Sequence, residues 1–166
     1  MNAPDIAFLD RDGTINVRRV GGYVDDPADV ELLPGAAAAI ARLNAAGARV
    51  VVMTNQRGLA TGRLEWAAYD RVTERLVDLL GAEGAHLDAI RVCPHDHNQC
   101  VCRKPADGMF RDELAAQPWA RPERCVMVGD MPSDVAPARG LGMTAYELGV
   151  DVPDLAAAVD QILAGQ

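Results

Sequence analysis

The sequence has no apolar run long enough to cross a bilayer. Its start also lacks a basic segment followed by an apolar one. A spanning helix needs about 20 mostly apolar residues, and a secretory leader needs both of those parts. The expectation is a cytoplasmic chain without a membrane partner. Positive charge is also short: 16 Lys and Arg stand against 24 Asp and Glu, a net charge of −8. That deficit argues against nucleic acid as a partner. Internal repeats, linkers and low-complexity tracts are absent, so residues 1–166 read as a single domain, expected to be a monomer. Four cysteines are present, and disulfides are not expected without an export signal.

What is there is 49% hydrophobic and 24% charged, which is globular. Short apolar runs at 6–9, 49–53, 89–92, 125–128 and 143–148 read as strands. Between them, 34–46, 64–80, 109–116, 133–139 and 153–163 carry helical spacing or helix start and stop signals. Pro34 suits the first helical position, and Ser133 suits a cap. Residues 15–33 and 58–62 read as irregular. Strands alternating with helices predict an α/β fold. Its form is a three-layer sandwich with a central parallel sheet. The gap after the first strand is too short for an inserted cap domain.

The organising stretch is Phe8-Leu9-Asp10-Arg11-Asp12-Gly13-Thr14. Two carboxylates end an apolar run, which places them at the carboxyl edge of a sheet where ligands bind. They repel each other unless a cation or a shared proton intervenes. A solvated turn is the plain alternative. A calcium loop is excluded, because Ile15 and Gly21 stand where it wants Gly and Glu. Further strands end in Thr54 and in Asp130, and a third leads toward Arg103-Lys104. Carboxylates suit a hard cation such as Mg²⁺. A hydroxyl and a lysine suit phosphate oxygens. Arg103, Arg18 and Arg19 are either further cations for an anionic ligand or solvated loop charges.

A second constellation is Cys93, His95, Cys100 and Cys102. Three thiolates and an imidazole make a closed tetrahedral Zn²⁺ set. The zinc loop, 93–102, would then be structural and would steady Arg103-Lys104. His97 reads as a solvated side chain, with a competing ligand as the alternative. Cys125 reads as a small core residue.

Asp10-Arg11-Asp12-Gly13-Thr14, Thr54, Lys104-Pro105 and Gly129-Asp130 with Asp134 resemble four ordered motifs of the haloacid dehalogenase superfamily. The resemblance implies a phosphatase in which Asp10 is the nucleophile and Asp12 the acid and base. It implies that Thr54 and Lys104 hold phosphoryl oxygens. It gives Mg²⁺ to Asp10, Asp12 through its backbone carbonyl, and Asp130, with Asp134 beside the metal or merely in a first helical turn. The zinc loop is similar to that of the branch holding heptose 1,7-bisphosphate and histidinol-phosphate phosphatases. Tyr23, Asn55 and Gln56 join the substrate side by that likeness. The implied substrate is a small phosphorylated sugar, with the 7-phosphate of heptose bisphosphate favoured over histidinol phosphate. Arg18-Arg19-Val20-Gly21 and Met131 depart from the heptose pattern. A catalytically silent, zinc-stabilised interaction module is the alternative from another class. A phosphomutase is disfavoured by the missing cap.

Overall fold

The computed structural model describes residues 3–165. Five strands form one parallel sheet: β1 (Ile6–Leu9), β2 (Arg49–Asn55), β3 (Ala89–Cys93), β4 (Val126–Gly129) and β5 (Thr144–Glu147). Their spatial order is β3-β2-β1-β4-β5. The first strand is therefore central, paired with β2 on one side and β4 on the other. The chain reverses its direction of winding at this point, and the crevice at the strand ends there is the natural ligand position.

Helices cover both faces because the strands are apolar on both. Ala7 and Leu9 face one way, with Val50, Val52, Val126 and Val128. They pack on α1 (Ala36–Ala45), α3 (Trp66–Ala82) and α6 (Leu155–Ala164). Ile6 and Phe8 face the other way, with Val51, Met53 and Met127. They pack on α4 (Gly108–Ala116) and α5 (Pro132–Gly140). Phe8 meets Phe110 edge to face, with ring centroids 5.1 Å apart. Such a pair adds about 0.5–1.5 kcal/mol beyond its buried area. A strand period of two thus makes one sheet serve two cores.

Three local expectations change. Residues 58–62 are not all irregular: Gly58–Thr61 form a short helix, α2, closed by Gly62 in the left-handed region. One turn is too short to leave a periodic signal. The first long helix starts at Ala36 rather than at Pro34, because Gly35 takes φ 77° and redirects the chain. Ser133 is not the cap of α5. Met131 takes that position and Pro132 the first turn, while the Asp134 carboxylate accepts the Met131 N–H at 3.1 Å. Residues 15–33 hold one 3-10 turn, Pro27–Asp29, and isolated bridges. No cap domain is inserted, and no helix among the described residues is long and apolar enough to cross a membrane.

Candidate active site

The ends of β1, β2 and β4 open into one cleft of about 570 Å³. Asp10 extends β1 by one ladder bond, its N–H donating to the Val128 carbonyl at 3.0 Å. Gly13 then turns the chain away at φ 84°. A Cβ there would stand 2.2 Å from Asp130 Oδ2, so only glycine fits between the two strand tips.

Lys104 is the only lysine in the chain. It comes from the loop that follows β3 and is 2% exposed. Its ammonium donates to Asp10 Oδ1 at 2.9 Å, Asp134 Oδ1 at 2.6 Å and the Met53 carbonyl at 2.6 Å. An ammonium has three N–H donors, and these contacts use all of them. The residue expected to grip a phosphoryl oxygen thus has its donors on the protein, two of them on carboxylates. Burial works against its charge, but Asp10 and Asp134 outweigh burial and hold its pKa above the usual lysine value.

Asp12 is held from three sides. Its Oδ1 accepts from Arg11 at 3.0 Å and from Asn16 at 3.0 Å, and its Oδ2 accepts from Gln56 Nε2 at 2.9 Å. The same Nε2 lies 2.9 Å from Thr54 Oγ1. Asn55 also turns to the protein. Its amide donates to the Lys104 carbonyl at 2.9 Å and accepts the Lys104 N–H at 3.1 Å. Asn55 and Gln56, expected on the substrate side, line the cleft but spend their amide nitrogens on its framework. Arg11, Asn16 and the Lys104–Asp134 contact went unread in the sequence. Only the spacing of Arg11 and Asn16 around Asp12 offered a signal.

Oxygens of Asp10, Asp130 and Asp134 lie within 4.8 Å of one another. Both oxygens of Asp134 are engaged, by Lys104 and by the Met131 N–H. Asp130 Oδ1, in contrast, is buried without a partner. Burial first, then the Asp10 carboxylate, pushes Asp130 up to about 7. Burial and Asp10 also raise Asp134. One ammonium does not balance this crowd, and the donor set fits a hard divalent cation. Arg18 reaches over the same group, its guanidinium 3.2 Å from Asp130 Oδ2.

Six of the sixteen Lys and Arg residues line this one cleft: Arg18, Arg19, Arg57, Arg63, Arg103 and Lys104. An acidic protein therefore presents a locally cationic mouth. Arg103 carries a buried Nη1 without a partner. Arg19 turns to Asp25 and Asp29, at 3.4 and 3.6 Å. Tyr23 lines the rim, with the Arg63 guanidinium over its ring at 5.6 Å. Arg57, unread in the sequence, ion-pairs with Asp96 and ties α2 to the loop that follows β3.

That loop gathers Cys93, His95, Cys100 and Cys102, whose ligand atoms also lie within 4.8 Å of one another. All four cysteines of the chain are free thiols. Sulfur–sulfur separations from Cys93 are 3.6 Å to Cys100 and 3.3 Å to Cys102, and His95 Nδ1 stands 3.2 Å from Cys102. Ligands around a tetrahedral Zn²⁺ with bonds of about 2.0–2.3 Å are spaced by roughly 3.5 Å. Burial raises Cys100, but the Arg103 N–H and its neighbours outweigh that and bring it down to about 7. Burial and the other two sulfurs push Cys102 up to about 12. Three thiols sharing one spot cannot all ionise unaided, so the set fits a thiophilic dication. His97 lies outside this group, exposed at the cleft. The loop is clamped onto α4 where Gly108 bonds the Val101 carbonyl at 2.9 Å.

The haloacid dehalogenase-like hydrolase family profile matches residues 3–142. The D-glycero-alpha-D-manno-heptose-1,7-bisphosphate 7-phosphatase of Mycobacterium tuberculosis is 39% identical over 139 residues, covering 83% of this chain and 73% of that protein. The D-glycero-beta-D-manno-heptose-1,7-bisphosphate 7-phosphatase of Rhodopseudomonas palustris is 36% identical over 166 residues, covering 95% and 89%. The crystal structure of the D,D-heptose 1,7-bisphosphate phosphatase from B. bronchiseptica, complexed with magnesium and phosphate, superposes with a TM-score of 0.87. It is 32% identical and covers 96% of this chain and 98% of that one.

Proposed function

This chain belongs to the haloacid dehalogenase-like hydrolases, and from that premise we propose that it removes the 7-phosphate of D-glycero-D-manno-heptose 1,7-bisphosphate. The observation that carries the reading is one cleft joining a carboxylate cluster to a cationic rim. A substrate with two phosphates needs both: one end for chemistry, the other for charge. The three heptose phosphatases compared above point to the same class of sugar bisphosphate.

In this reading an Asp10 oxygen bonds to phosphorus as the bond from phosphorus to the sugar oxygen breaks. Asp12 gives its proton to that departing oxygen. The product is a phosphoryl group on Asp10, a covalent intermediate. Water then passes a proton back to Asp12 and attacks phosphorus, releasing phosphate and restoring Asp10. Thr54 donates to a phosphoryl oxygen. Lys104 orients Asp10 and sets its charge beside the reacting group. Asp10, Asp130 and the Asp12 backbone carbonyl would hold Mg²⁺, which when bound draws charge from a phosphoryl oxygen.

Assays of both heptose bisphosphate anomers, histidinol phosphate and p-nitrophenyl phosphate test the substrate. The highest kcat/KM is expected on a heptose bisphosphate. A higher value on histidinol phosphate overturns that. Arg103 is assigned to the second phosphate, through its unpartnered Nη1. A charge-assisted contact of this kind is worth roughly 1.5–3 kcal/mol. Arg103→Ala should therefore cost on the order of tenfold to a hundredfold on the bisphosphate, and far less on the aryl phosphate. Equal losses would place Arg103 at the reacting phosphate or in the loop.

Zinc is assigned to Cys93, His95, Cys100 and Cys102 as a structural ion. Metal analysis of protein purified without chelators should find about one Zn per chain. Stripping it should free the loop that leads into Lys104 and lower both melting temperature and activity. Protein that contains no zinc and melts identically with and without a chelator would defeat this assignment.

A further inference from the structure

We propose that Gln56 is a positioning residue, whose one buried amide holds the Asp12 carboxylate and aims the Thr54 hydroxyl at the same time. The inference rests on the roles given above to Asp12 and Thr54.

Gln56 is 1% exposed. Its backbone N–H bonds the Cys93 carbonyl at 2.9 Å, which continues the pairing of β2 with β3 by one residue. The side chain therefore leaves from a fixed point. Its Nε2 stands 2.9 Å from Asp12 Oδ2 and 2.9 Å from Thr54 Oγ1, while Oε1 is buried without a partner. The orientation follows from the partners. Once Asp12 has given up its proton its carboxylate only accepts, so in that state the amide faces Asp12 with its NH₂ and not with its oxygen. The two hydrogens of that NH₂ are then both assigned, one to each neighbour.

Two consequences follow for the reacting groups. Thr54 Oγ1 accepts from Gln56, so its own hydrogen must point elsewhere, and Thr54 lines the cleft. The hydroxyl is left to donate to a phosphoryl oxygen. Asp12 Oδ1 is already held by Arg11 and Asn16. Without Gln56 its Oδ2 loses its only side-chain donor among the described residues, and the carboxyl can rotate away from the departing oxygen. Misplacing a catalytic group by about 1 Å can cost on the order of a hundredfold.

The test separates the two arms by leaving group. An alkoxide needs the Asp12 proton, whereas p-nitrophenolate leaves without one, and Thr54 serves both substrates alike. Single-turnover release of the leaving group is measured with Mg²⁺ present, on a sugar phosphate and on p-nitrophenyl phosphate. Asp12→Asn serves as reference and should lose far more on the sugar phosphate. Gln56→Met, unbranched and of similar length, should show the same split. Its loss should be on the order of 10²-fold on the sugar phosphate and at least about tenfold smaller on the aryl one. Gln56→Glu keeps the shape but faces Asp12 with oxygen, and should split the same way. This second variant decides the matter if Gln56→Met does not fold. Equal losses on both substrates, with Asp12→Asn still split, would mean that Gln56 does not hold Asp12, and would overturn the double role proposed for it. An unsplit Asp12→Asn would instead overturn the acid role of Asp12, and the inference with it.

Discussion

Asp10→Asn is expected to abolish turnover while leaving the fold in place. An amide cannot supply the electron pair that a carboxylate brings to phosphorus. Uncatalysed phosphate-monoester hydrolysis is slow enough that enzymes accelerate it by up to ~10²¹-fold, so little background rate remains to mask the loss. The structure says why the fold should survive. Asp10 is one of three carboxylates within reach of one another, and Lys104 holds two of them. Removing one negative charge relieves the crowd, and the amide oxygen can still accept from Lys104. The melting temperature should stay the same or rise. Rapid-quench mass spectrometry should find a phosphorylated peptide containing Asp10 in the parent protein and none in the variant. Residual kcat within tenfold of the parent would remove Asp10 as the nucleophile.

Lys104→Met is expected to do the opposite to stability. The side chain is 1% exposed and sits against two carboxylates and a carbonyl. Methionine fills much of the same space with no donor. Breaking a buried pair by removing one partner costs about 3–5 kcal/mol, because the other charge is left uncompensated. For a chain of this size that corresponds to a fall in melting temperature of roughly 6–20 °C. The loss should be largest in a chelator and smaller with added Mg²⁺, which can share the carboxylates. Activity should fall together with stability, since Asp10 loses its orienting contact. A calorimetric shift under about 2 °C in chelator would mean that the ammonium is not what makes this cluster tolerable.

The strand tips were readable in the sequence because their signal is local. An apolar run that stops at Asp10, Thr54 or Asp130 announces both the strand and the edge where the polar group sits. The cysteine loop was readable for the same reason, with its three cysteines and one histidine inside ten positions. The direction of Asn55 and Gln56 was not readable. Each meets partners 49 or 44 residues away in the chain. Those meetings depend on the β3-β2-β1 order and on β2 running on to Asn55, which no periodicity encodes. Arg18 against Asp130, 112 residues apart, is a similar case. The short helix at Gly58–Thr61 was hidden by its flanking glycines, which read as loop until the packing of Tyr23 on Gly58 is seen.

The chain's one lysine is at the cleft floor, 2% exposed. The outward positive side-chain charge of the other fifteen basic residues is therefore carried by guanidinium. Acylating reagents, and enzymes that modify lysine, find no side-chain amine on this surface. Any acyl group that does appear on a lysine of this protein must have reached Lys104. The rate of that modification is then a clock for how often the floor of the cleft opens to solvent, read from a single peptide without any competing site.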